Sequence, residues 1–186
     1  MARNTLIRSM HDVGLAAWFG GTLANAVSLN AAAAQAGDAG RTGAVANEGW
    51  DRWTPVNAAA IGAHLIGSVG LLAANSDRVA AQRGVAAMAV LKTALTAAGL
   101  GATAYSRVLG RRVSQQQDVP AASGTEPTTT TPSDVAGAQR QLSMLQWAVP
   151  AITGALVVVT AYASEQQRAS EVHKGVLANL LPQSGN

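Results

Sequence analysis

The sequence predicts an all-α fold: an antiparallel bundle of four transmembrane helices, with a disordered Thr/Pro-rich loop between the third and the fourth. Three observations carry that expectation. The 186 residues are 48% apolar and only 12% charged, oilier than a water-soluble domain of this size needs. The charges fall like punctuation. No Asp, Glu, Lys or Arg stands between Asp12 and Asp38, between Arg52 and Asp77, or between Arg140 and Glu165, and only Lys92 interrupts the run from Arg83 to Arg107. Each run exceeds the about 20 residues with which a helix crosses about 30 Å of hydrocarbon. Finally, Ala, Val and Leu supply the bulk, with one Phe and two Tyr in the whole chain.

A single membrane domain over residues 1–186 is therefore expected, with helices at about 12–34, 53–75, 84–106 and 142–164. The first connection, Gly37 to Arg52, mixes Gly, Asp and Arg and ends near Trp50 and Trp53. The second, Ser76 to Arg83, is short, which makes the second and third helices antiparallel neighbours. The third, about 113–138, holds three consecutive Gln, Pro120, Gly124, Pro127, the run Thr128 to Thr131 and Pro132. It has too little apolar surface to offset the entropy of ordering. A polar tail follows over 165–186, with one short apolar patch at Val176 to Leu181.

Two other classes fit less well. Arg3 and Arg8 precede an apolar stretch that ends near Ala34-Gln35-Ala36, as in a secretory leader. Three further apolar runs would then lack a home. A soluble Ala-rich bundle would carry charges along the outer face of each helix, and these runs carry none. The absence of cysteine excludes disulfides, thiolate metal sites and thiol nucleophiles. A net charge of +3 gives little support to nucleic acid as a partner, and none is expected.

Orientation rests on small differences. With both termini cytoplasmic, the inner segments hold Arg3, Arg8, Arg78, Arg83, Arg168 and Lys174, and the outer ones hold Arg41, Arg52, Arg107, Arg111, Arg112 and Arg140. The count ties. The basic start before the first helix and the Thr/Pro-rich loop outside favour cytoplasmic termini in a bacterial inner membrane.

Between apolar helices in lipid, close approach through small residues and scattered polar bonds must supply association. Rows of small residues at Ala16, Gly20, Ala24 and Ser28, at Ala59, Ala63 and Gly67, at Ala98 and Ala102, and at Ala151 and Ala155 are candidates for those contacts. Polar residues also recur at helical spacing: Thr22, Asn25 and Ser28; Asn57, His64 and Ser68; Thr93, Thr96 and Thr103; Thr153 and Thr160. Such stripes avoid lipid and are expected to converge on the bundle axis.

The stretch from His11-Asp12-Val13-Gly14 through Trp18-Phe19-Gly20-Gly21 can be taken with Asn47-Glu48-Gly49-Trp50, Trp53-Thr54-Pro55-Val56-Asn57 and Leu145-Gln146-Trp147-Ala148-Val149-Pro150. Together they resemble an uncharacterised family of small Ala-rich four-helix membrane proteins from high-GC bacteria. The resemblance covers nearly the whole chain and implies no activity. The segment from His11 to Gly21 is also similar to the first helix of copper-resistance-type membrane domains, over too short a span to bring metal binding with it.

These features point to a non-catalytic membrane protein, a structural or accessory subunit that packs with itself or with a larger membrane complex, with lipid as its surroundings. No catalytic residue, metal site or resident cofactor is expected. The alternative is a membrane module that binds a small ligand, haem or quinone, centred on His64 with Asn25 and Lys92 nearby. Counting depth from the ends of the helices places His11 about a dozen residues, or about 18 Å, from the midplane, leaving His64 without a partner. Lys92 can reach the nearer interface by snorkelling, where Asp12 is a candidate ion-pair partner. A small permease is a third class, disfavoured because no carboxylate stands inside any of the runs.

Overall fold

The computed structural model describes residues 4–116 and 120–165; the tail expected to be polar lies outside them. Within these residues the protein is all-α apart from one minimal hairpin. The elements are α1 (Thr5–Ala24), a π-helical turn (Asn25–Leu29), α2 (Asn30–Ala33), α3 (Ala39–Ala74), α4 (Ser76–Ala81), α5 (Arg83–Ser114), β1 (Ala121–Ser123), β2 (Glu126–Pro127) and α6 (Ser133–Glu165). Three helices, α3, α5 and α6, are long and apolar enough to cross a membrane. The first of the four expected spans is not among them. The first apolar run is not one α-helix from Asp12 to Ala34: it starts at Thr5, so its first turns carry Arg8, His11 and Asp12, and a π turn interrupts it at Asn25.

The long helices also begin earlier or end later than the charge pattern predicts. α3 starts at Ala39 rather than Trp53, because the Asp38 side chain accepts a hydrogen bond from Arg41 N at 2.8 Å and caps the first turn. Glu48 and Arg52, one turn apart with Oε1 and Nε 2.6 Å from each other, then support an exposed stretch of helix. α5 continues to Ser114 and α6 starts at Ser133. The prolonged ends pack together as a small polar-rimmed cap with an apolar centre of Leu109, Val113, Val135 and Ala138.

The segment expected to be disordered contributes to this cap. β1 and β2 pair antiparallel, and the threonine run clasps their base: Thr131 Oγ1 donates to Pro120 O at 2.5 Å and accepts from Thr128 N at 2.9 Å. Sequence composition does not reveal bonds of this kind, made by hydroxyls to backbone.

Asn30 is the junction between cap and bundle. Its Nδ2 donates to Gln146 Oε1 at 2.6 Å, and its Oδ1 accepts from Trp50 Nε1 at 3.1 Å. The turn at Gly124 lies so close over Asn30 Oδ1 that a side chain there would collide with it. Replacing Asn30 with Leu strands one donor and one acceptor in a buried place. It is expected to lower stability by about 1–3 kcal/mol, measured by thermal unfolding of the detergent-solubilised protein.

Helix pairing departs from the order of the chain. α1 packs along α3 and also against α6, and α5 packs along α6, whereas α3 and α5 meet only sparsely although α4 alone separates them. They are neighbours across a gap, bridged by His64–Thr96 and Asp51–Arg107, rather than packed side by side. At the centre, Leu15, Trp18 and Leu156 form a closed apolar cluster, flanked by Ile61, Leu95, Leu100 and Val157.

The rows of small residues also do other work than expected. Ala16, Ala24, Ser28, Ala98, Ala151 and Ala155 are exposed, and a side chain at Gly20 would meet open space. Of the expected rows, Gly67 does make a tight contact; the others fall on Gly14, Gly21, Gly49 and Gly70, each with a neighbour inside van der Waals range of an added Cβ.

Candidate functional site

The site begins with two glycines. A Cβ on Gly14 would stand 2.5 Å from His64 N, and one on Gly67 would stand 2.6 Å from His11 Cα. Bare backbone at both positions lets α1 and α3 touch main chain to main chain. The same contact brings the His11 and His64 rings to 4.6 Å between centroids, tilted by 50°. The expected separation in depth is thus corrected. It took Asp12 as the lipid boundary of the first helix, but α1 begins at Thr5, so the register between α1 and α3 slides by about two turns.

Both imidazoles are fully buried, and their hydrogen bonds define their tautomers. His64 Nδ1 donates to His11 O at 3.2 Å, so its Nε2 accepts, from the Thr96 hydroxyl at 3.4 Å, while the Ser68 hydroxyl, equally far, donates to His64 O at 2.8 Å. His11 Nδ1 lies 2.7 Å from Asp12 Oδ1. With the carboxylate accepting, that nitrogen carries the hydrogen and the neutral ring keeps a lone pair on Nε2. Among the described residues no group meets it: His11 Nε2 is buried without a partner.

Two cavities lie stacked in the gap between α3 and α5, and Leu100 borders both. The one near the chain start measures about 420 Å³ and is walled by Arg8, His11 and Asp12 of α1, Ser68 and Leu72 of α3, Met88, Lys92 and Thr96 of α5, and Thr160 of α6, among others. The one beneath the cap, about 330 Å³, is bordered by Trp50, Trp53, Asn57, Thr103, Arg107 and Gln146 together with Ile61, Leu142 and Val149. Between these levels Trp18, fully buried, donates from Nε1 to Thr103 Oγ1 at 3.1 Å.

Of the three residues expected to form a site, His64 and Lys92 come to the same region. His64 is not the centre of a cavity; it stands behind the wall, with Thr96 and Ser68 between it and the space. Lys92 borders the cavity itself, half-buried. Its expected partner Asp12 lines the same cavity but hydrogen-bonds His11. Asn25 is elsewhere, in the π turn, with Nδ2 buried and unpartnered, and it borders neither cavity.

The polar stripes converge only in part. Thr22, Asn57, His64 and Thr153 are buried, while Ser28 and Thr93 are exposed. Thr22 and Thr153 bond their own helix, at Trp18 O and Val149 O, and so do not join helices. Stripe residues do join helices at His64–Thr96 and, with partners that hydropathy alone does not single out, at His64–His11 O and Trp18–Thr103; the Asn30–Gln146 bond lies outside the stripes. For His11 the available signal is the spacing of His11, Asp12 and Gly14 at the start of an apolar run.

Haem does not fit these residues. Rings 4.6 Å apart leave no room for an iron between them, and both nitrogens of His64 face protein atoms. Among the described residues no three His, Asp or Glu side chains gather as a metal site. The chain matches no family model, no curated protein and no solved structure.

Proposed function

We propose that the protein is a four-span protein of the bacterial inner membrane that performs no reaction itself and holds a small, mostly apolar molecule in the gap between α3 and α5. The observation that carries this reading is the gap: two stacked cavities of about 420 and 330 Å³ in a bundle where α1 closes on α3 and α6, and α5 on α6. Such volumes lie in the range of small-molecule sites, which combine apolar walls with a few convergent polar groups. The fourth span is the stretch from Thr5 to Ala33, helical throughout and about 40 Å long at 1.5 Å per residue.

In this reading both termini are cytoplasmic and the cap is outside. The chain lacks cysteine, so single-cysteine variants can be labelled without background. A membrane-impermeant maleimide applied to intact cells is expected to label Thr129→Cys and to spare Ser76→Cys until the membrane is opened. Labelling of both from outside, or release of the protein by alkaline carbonate, would overturn the topology.

A second reading, an accessory subunit that packs with itself or a larger membrane complex, is favoured by α5. Only 6% of its apolar window is buried within the chain, against 22% for α3 and α6. Its exposed residues include Ala87, Ala94, Ala98 and Gly101, at steps of seven, four and three residues, small enough for another helix to approach. Oxidative cross-linking of Ala98→Cys in native membranes is expected to give a covalent dimer if the partner is a second copy, and only monomer if α5 faces lipid.

A further inference from the structure

Two residues that line the larger cavity each carry a polar atom without a partner, buried behind the cavity surface. On α1, the lone pair of His11 Nε2 is buried without a donor; on α6, Thr160 Oγ1 is likewise buried without a partner. A buried imidazole nitrogen left unpaired is costly, and neighbouring side chains do not relieve it, since Asp12 already bonds the other ring nitrogen. Around these two atoms the walls are Leu72, Met88 and other aliphatic side chains.

Resting on the reading that the gap holds a small molecule, we propose that this cavity selects a hydroxyl-bearing aromatic ring with an apolar tail, of the phenol or hydroquinone class. The ring hydroxyl donates to His11 Nε2. Thr160 Oγ1 donates to an oxygen of the ligand, the Lys92 ammonium lies within the same polar end, and the tail runs along the α3–α5 gap toward Leu100.

An anionic amphiphile suits the cavity less well. Lys92 and Arg8 line it, but so does Asp12, and an anion brings only acceptors to a nitrogen that already offers a lone pair. A neutral hydroxyl supplies the missing donor. The pairing follows the rule that a site built to hydrogen-bond a hydroxyl rejects an analogue lacking it, because its own buried polar groups are then left unpaired.

The test uses the full-length protein in detergent, titrated by calorimetry with 4-hexylphenol, with its methyl ether 4-hexylanisole, and with hexyl phosphate. The expected result is phenol binding at least tenfold tighter than the ether and tighter than the phosphate, with the preference lost in His11→Phe and reduced in Thr160→Val. Thr160→Val is the variant that decides should His11→Phe unfold, because it removes the second polar atom without touching the α1–α3 contact. Equal binding of phenol and ether, or strongest binding of the phosphate, overturns the proposed selectivity while leaving a ligand in the gap. Binding of none of the three overturns the ligand-holding reading itself.

Discussion

Gly67→Ala is expected to lower stability by about 3 kcal/mol, at the upper end of what overpacking costs, and to separate α1 from α3. The added methyl would stand 2.6 Å from His11 Cα, closer than real Cβ contacts allow. Its neighbours are backbone atoms, so no rotamer change can relieve the clash; one helix must move. Gly14→Ala acts at the same contact, against His64 N and Ala60 O. The double variant should therefore cost less than the sum of the two, because the first displacement already makes room for the second methyl. Unfolding of the purified variants in mixed micelles of SDS measures all three. A loss below about 0.5 kcal/mol in each single variant, the size of an ordinary surface substitution, would show that the helices do not approach as closely as described.

The other large effect falls on Trp18. It is fully buried in the central cluster with Leu15 and Leu156 and bonds Thr103 across to α5. Trp18→Ala is expected to cost about 3–5 kcal/mol, because the neighbours cannot collapse into so large a void. The indole is also one of the few links between α1 and α5. Trp18→Phe separates the two contributions in part: it keeps some of the packing, loses the outer indole atoms beside Gly99, and removes the Nε1 bond, worth about 0.6–2 kcal/mol between helices in lipid. If the Phe variant proves as unstable as the Ala variant, the bond and not the ring's volume organises the centre.

Much of the fold was legible because charge is so costly in hydrocarbon. The runs after Arg52, Arg83 and Arg140 lie inside α3, α5 and α6, the three helices apolar enough to cross a membrane. The helix ends were not legible, because the same reasoning equates the end of an apolar run with the end of a helix. Asp38 capping α3 and the Glu48–Arg52 pair show how helix persists through a charged stretch. That one misjudgement displaced His11 from His64, since the register between antiparallel helices is fixed by where each begins. Small-residue rows misled for a different reason: alanine is so frequent here that a four-residue spacing carries little information, whereas the glycines that matter are those facing backbone. The candidate site was half visible. His64 and Lys92 signal themselves as polar residues in apolar runs, but Asn25 sends the same signal from a π turn that periodicity cannot foresee.

The overlong helices leave the molecule lopsided. α3, α5 and α6 have 36, 32 and 33 residues, about 50 Å each, against a hydrocarbon slab of about 30 Å. The surplus gathers at the hairpin end, where Arg41, Arg107, Arg111, Arg112 and Arg140 ring it. In the proposed four-span placement, these guanidinium groups would rest as a collar on one leaflet. Thicker or thinner lipid would then be taken up at the opposite tip, beside Arg8, Asp12 and Lys92, which line the larger cavity.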